Sequence, residues 1–207
     1  MEILKKSVLV AIIAIFMNNH VQAQTQAQLQ EAFVKSYTLE SEKKYQEAAN
    51  ALSNIYSEQN YEVNLRLGWL HYLIGNKEKS VGYYNKCIKL MPLASEPLWG
   101  IIYPYSAKED WVNVEKTYLS ILKLDPKNAS AHYRLGLIYY YRKNYTAAKK
   151  YFDVSLNLNP FDYDSLLMSA WNNYFLGNMS NAKVLFNKVL LNRPNDASAM
   201  EGLSLIK

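Results

Sequence analysis

The stretch "YRLGLIYYYRKNYTAAKKYFDVSLNLNP", residues 133–160, reads as two helices joined by a turn. Leu135, Ile138 and Tyr139 recur at helical spacing, and Tyr145, Ala148 and Phe152 take up the same rhythm after the polar break "YRKNYT". Pro160 closes the second helix, because its ring and its missing N–H cannot continue the i to i−4 ladder. The same closure returns at Pro92 in "IKLMPLASE", at Pro126 in "LKLDPKNAS" and at Pro194 in "VLLNRPNDAS". These four prolines stand 34 residues apart three times in succession. A fixed period of that length marks one structural unit copied along the chain.

Phasing on the prolines predicts units at 61–94, 95–128, 129–162 and 163–196, each a helical hairpin of two stretches of about a dozen residues. A weaker unit at 29–60 precedes them, and 197–207 forms a last half-unit that serves as a capping helix. Small residues fall in two columns where helices must cross closely. Ser36, Gly68, Gly136, Ala170 and Ser204 form the first; Ala48, Ser80, Ala148 and Ala182 form the second. A large residue then fills the remaining space: Leu52, Tyr84, Tyr118, Phe152 and Phe186. Unit 95–128 departs from the pattern, with Ile102 and Val114 in the small columns and Pro104 inside its first helix. A bend near Pro104 and a more open hairpin are expected there.

This arrangement resembles the tetratricopeptide repeat family. Residues 133–160 carry Leu135-Gly136, Tyr139, Tyr145, Ala148, Phe152 and Pro160 in the family's places; "LRLGWLHYLIGNKEKSVGYYNKCIKLMP" (65–92) matches almost as well, and "KKYQEAANAL" supplies Tyr45, Ala48 and Leu52. The resemblance covers 29–196. It implies an all-α, right-handed α-solenoid of stacked antiparallel hairpins that acts as a non-catalytic binding scaffold.

The N-terminus, "MEILKKSVLVAIIAIFMNNHVQAQ", has the order of a secretory signal peptide. Lys5 and Lys6 precede an apolar run from Val8 to Met17, and Val21 and Ala23 frame a cleavage site. A spanning helix needs roughly 20 apolar residues, so 1–23 is expected to be removed, leaving a short linker at 24–28. The exported chain loses Lys5, Lys6 and Glu2 from totals of 23 and 18, which leaves 21 basic and 17 acidic residues, a net of +4. Those charges are mixed along the chain, without the basic run that points to nucleic acid. A lone cysteine, Cys87, excludes an intrachain disulfide. The short leader and Gln-rich start suggest a bacterial protein of the periplasm or exterior.

Little in the chain points to catalysis or cofactors. His71 and His132 fall in packing columns, Cys87 falls in a small-residue column without a nearby His, and no HExxH, GxSxG or phosphate loop occurs. No Cys/His cluster suits zinc and no Asp-rich loop suits calcium.

In the family that the chain resembles, the first helix of each hairpin lines the concave side. The 34-residue phase puts Phe33, Tyr37, Trp69, Tyr72, Trp99, Tyr103, Tyr140, Tyr141, Trp171, Tyr174 and Phe175 there, including three of the four tryptophans. Among cations only Arg66 and Arg134 face that side, so a Lys/Asn carboxylate clamp is not expected. The reading is an aromatic groove for a protein or peptide segment in the cell envelope. A glycan stacked on the same rings, a structural subunit of an envelope assembly, or rings that merely pack hairpin on hairpin are the alternatives. Oligomeric state is left open.

Overall fold

The computed structural model describes residues 26–206. The expected signal peptide, 1–23, lies outside them. Every regular element among the described residues is a helix. Helix α1 is described over 26–41, so the end of the expected linker, 26–28, is already helical. It is followed by α2 (Tyr45–Asn50), a 3-10 turn (Ser53–Ile55), α3 (Tyr61–Ile74), α4 (Lys77–Leu90), α5 (Glu96–Ala107) and α6 (Trp111–Leu124). Then come α7 (Ala129–Tyr141), α8 (Tyr145–Leu158), α9 (Tyr163–Phe175), α10 (Met179–Asn192) and α11 (Ala197–Leu205).

Local chemistry sets these limits repeatedly. Helices α4, α6, α8 and α10 each stop two residues before a proline, with Met91, Asp125, Asn159 and Arg193 out of helical conformation. Most helices start on an asparagine or aspartate cap. Asn60 accepts from the Val63 N–H, Asn76 from Lys79, Asn128 from Ala131 and Asn144 from Ala147, at 2.9–3.1 Å. Each such cap is worth about 0.5–2 kcal/mol. The turns inside hairpins place one residue in the left-handed region: Gly75 and Gly177 at no steric cost, and Glu109 and Lys143 at about 1 kcal/mol each.

The described residues form two units, one ending at Pro92 and one starting at Leu93. In the first, Ala48, Leu52, Val63, Leu67 and Leu70 make a buried core, with Leu29, Phe33 and Ile74 packed around it. Gly68 meets the face of Tyr84, where a Cβ would stand 2.9 Å from the ring, and the Ser80 hydroxyl donates to the Gly68 carbonyl at 2.7 Å. Buried Asn64 ties down the turn before α3, its amide donating to the carbonyls of Ser57, Glu58 and Asn60. The second helix of unit 29–60 is shorter than expected. It ends at Asn50 and gives way to a 3-10 turn through Ser53 and Asn54, residues that compete with the helix for backbone hydrogen bonds.

The second unit repeats the crossing. A Cβ on Gly136 would stand 2.5 Å from the Phe152 ring. Phe186 is sealed by Ala170 and Ala182 in its own hairpin and by Ala199 and Gly202 of α11. Ser204, expected in the first small column, is instead exposed; Gly202, two residues earlier, lies against Phe186. Pro104 is buried inside α5 and does not end it. Ile102 and Val114 are buried, and α5 and α6 share less contact than α7 and α8 or α9 and α10.

Candidate functional site

In the first unit the expected groove residues lie in two ring pairs, Phe33 with Tyr37 at 6.3 Å and Trp69 with Tyr72 at 5.5 Å. Internal bonds occupy much of this face. The Trp69 indole donates to Glu40 at 2.7 Å. Arg66, expected to face the groove, is buried: it donates to Ser36 at 3.1 Å, pairs with Glu40, and stacks over the Tyr37 ring at 3.8 Å. A guanidinium taken out of water needs such partners, and Glu40 supplies the charge from the preceding hairpin. Tyr37 remains exposed.

The second unit gathers the remaining rings differently. Trp99 packs edge-on to Tyr118 at 5.9 Å and is half-buried, whereas Tyr103 is exposed. Further along, five expected residues form one connected cluster. Tyr140 meets Tyr141 at 5.6 Å and Phe175 at 5.9 Å; Trp171 meets Tyr174 at 5.7 Å and Phe175 at 6.2 Å. Tyr145 joins them, stacked on Phe175 at 5.0 Å, although its column marked it as hairpin packing. Trp171 is held in place by Phe186, edge-on at 5.1 Å, and by a 2.9 Å hydrogen bond from its indole to Ser198. Tyr141 is 75% exposed and Phe175 47%, so the cluster presents a wide aromatic surface on a fixed base.

Beside this cluster lies a cavity of about 660 Å³. Val114, Tyr118, Leu137 and Ile138 give it an apolar lining, and Ser106, Trp111, Tyr141, Arg134 and Arg142 complete it. Trp111, at the start of α6 and outside the expected groove residues, is 49% exposed here. The two arginines differ. Arg142 pairs with Glu115, which also accepts from the Tyr139 hydroxyl at 2.5 Å. Burial pushes the Glu115 carboxyl up, but these two partners outweigh it and hold it below the usual range. Arg134 is exposed and has no ion-pair partner among the described residues; its guanidinium lies 5.9 Å over the Tyr133 ring.

The residues with chemical potential are packed away. Burial pushes the Cys87 thiol up to about 12, far from a reactive thiolate. His71 stacks on Tyr83 at 5.2 Å, as Tyr139 stacks on Tyr151 at 5.4 Å in the corresponding place. A ring nitrogen of His132 meets the Pro126 carbonyl at 3.0 Å. Among the described residues no group of His, Cys, Asp and Glu is placed to hold a metal, and no helix is long and apolar enough to cross a membrane.

Three segments, 61–92, 129–162 and 164–196, each match a family model for the tetratricopeptide repeat. Solved structures show the same fold. A tetratricopeptide repeat protein from Parabacteroides merdae ATCC 43184 is 21% identical, with 86% of this chain and 72% of that one covered, at a TM-score of 0.72. MamA from Desulfovibrio magneticus RS-1, residues 41 to the end, is 17% identical over 82% and 97%, at 0.67. YrrB, described as a repeat protein of this kind with an unusual peptide-binding site, is 18% identical over 76% and 80%, at 0.64. No curated protein matches the chain.

Proposed function

We propose that this chain, which belongs to the tetratricopeptide repeat family, is a non-catalytic scaffold that binds a protein or peptide segment across its aromatic surface in the bacterial cell envelope. The observation that carries the reading is the connected cluster Tyr140, Tyr141, Trp171, Tyr174 and Phe175, fixed from below and open from above. Aromatic side chains contribute large contact areas with few rotatable bonds, which suits them as anchors. The peptide-binding site described for YrrB, on the same fold, supports the same class of ligand. The envelope location rests on the leader-like start, and intact mass of the protein from its native host tests it: the chain should begin at Gln24.

Capture from native envelope extracts tests the binding. A protein partner should be retained by the wild type and weakened about 30-fold by Phe175→Ala or Tyr141→Ala, each the loss of one anchor. Both side chains are exposed, so the variants should keep full helicity. Equal retention by wild type and both variants would sink the aromatic reading, and specific retention of a glycan polymer would replace the peptide.

A further inference from the structure

The cavity and the aromatic cluster share a residue. Tyr141 lines the cavity and lies 5.6 Å edge-on from Tyr140, which continues the rings to Phe175. A segment laid along the cluster therefore runs past the cavity. Its volume, about 660 Å³, falls within the roughly 300–1,000 Å³ of sites that enclose small ligands, and it is ample for one side chain. Its lining is apolar apart from Ser106 and two arginines, Arg134 and Arg142. There the charges do not balance, because Glu115 answers Arg142 and nothing among the described residues answers Arg134.

We propose that this cavity is a selectivity pocket of the peptide surface. It takes one bulky apolar side chain of the bound segment, while an aspartate or glutamate one or two residues away meets Arg134. The assignment rests on the peptide-binding reading above. The occupant is a peptide rather than a free small acid because Tyr141 belongs to both features, so one extended ligand covers both. Leu137 and Val114 define the space and select for size; Arg134 selects for charge. Exposed ion pairs discriminate modestly, about fivefold at low salt, and are screened as salt rises.

The test is selection of random 12-residue peptides, displayed on phage, against the wild type, Arg134→Glu and Leu137→Trp, each checked for helicity. Wild type should enrich an acidic residue within two positions of Phe, Trp, Tyr or Leu. Arg134→Glu, an exposed change, should replace that acid by Lys or Arg. Leu137→Trp fills the cavity and should remove the bulky preference. A synthetic peptide of the wild-type consensus should bind Arg134→Glu at least about fivefold more weakly, with the gap closing in salt. Identical consensus sequences from wild type and Arg134→Glu overturn this inference and leave the groove reading standing. No enrichment on wild type overturns both.

Discussion

Two neighbouring hairpins solve the same packing problem in opposite ways. In α7–α8 a glycine and an alanine, Gly136 and Ala148, let one helix lie directly on the Phe152 ring, which is fully buried. In α5–α6 the corresponding positions hold Ile102 and Val114, and the ring residue is Tyr118, which lines a cavity. The first hairpin uses its space for stability. The second leaves apolar surface where a ligand can reach it, and Arg134, Leu137, Ile138 and Tyr141 of α7 form the facing wall. The departure from small residues in unit 95–128 therefore coincides with the cavity.

Deleting the two rings should break this comparison most sharply. Phe152→Ala should cost about 3–5 kcal/mol, since a sealed site cannot collapse around the void. Tyr118→Ala should cost less, because part of its otherwise buried ring lines the cavity. Urea denaturation measures both, and equal losses would mean that the cavity does not relieve the packing at Tyr118. Gly136→Ala comes next. Its new methyl must displace the Phe152 ring, an overpacking cost of about 1–3 kcal/mol, offset in part by up to about 1 kcal/mol of helix propensity. The same replacement at Gly82, in α4 with nothing within 4 Å of its Cβ position, should stabilise by about 0.5–1 kcal/mol. A sign change between these two glycines is the expected readout; the same sign would show that crossing distance does not govern the glycines. In hydrogen exchange, α5 should open before α7, because Pro104 supplies no N–H to the Gly100 carbonyl and α5 shares less contact with its partner.

The smallest effect is one of pH, at one position compared between two hairpins. His71 stacks on Tyr83, and burial first, then Lys79, hold its pKa below the ordinary 6.5. Unfolding releases that restraint, so between the two pKa values the unfolded chain binds more protons. Stability should therefore fall as pH drops below about 6.5 and level off below the folded pKa. Tyr139, in the corresponding place, is pushed up to about 12, chiefly by its hydrogen bond to Glu115, and is silent in this window. Urea unfolding at pH 7.5 and 5 should show a narrower gap for His71→Gln than for wild type; an unchanged gap would assign the acid sensitivity elsewhere.

What was legible in the sequence follows from the period. A 34-residue phase aligns residues that occupy equivalent places, so it located the hairpins, the small columns, the ring residues and the shared stacking position of His71 and Tyr139. It does not report contacts between one hairpin and the next. Glu40 reaches Arg66 from the preceding unit, so the burial of Arg66 was invisible in its own column. Gly202, rather than Ser204, seals Phe186 for the same reason: the contact joins the second helix of one hairpin to the first of the next. Trp111 entered the site because of unfilled volume around it, and volume is a property of three helices together.

The asparagine caps carry a consequence for chemical ageing. Slow hydrolysis of an asparagine amide leaves an aspartate. At Asn60, Asn76 and Asn144 the cap uses only the side-chain oxygen, which survives the reaction, and the new negative charge sits favourably at a helix N-terminus. At Asn128 the amide nitrogen also donates to Asp125 at 3.1 Å, so an aspartate there would oppose a second carboxylate. At buried Asn64 the helix turn uses the lost nitrogen, which serves three carbonyls. An aspartate there would face those carbonyls with a buried charge. The same lesion is thus tolerated at three helix starts and damaging where the amide nitrogen holds a partner, most of all at buried Asn64.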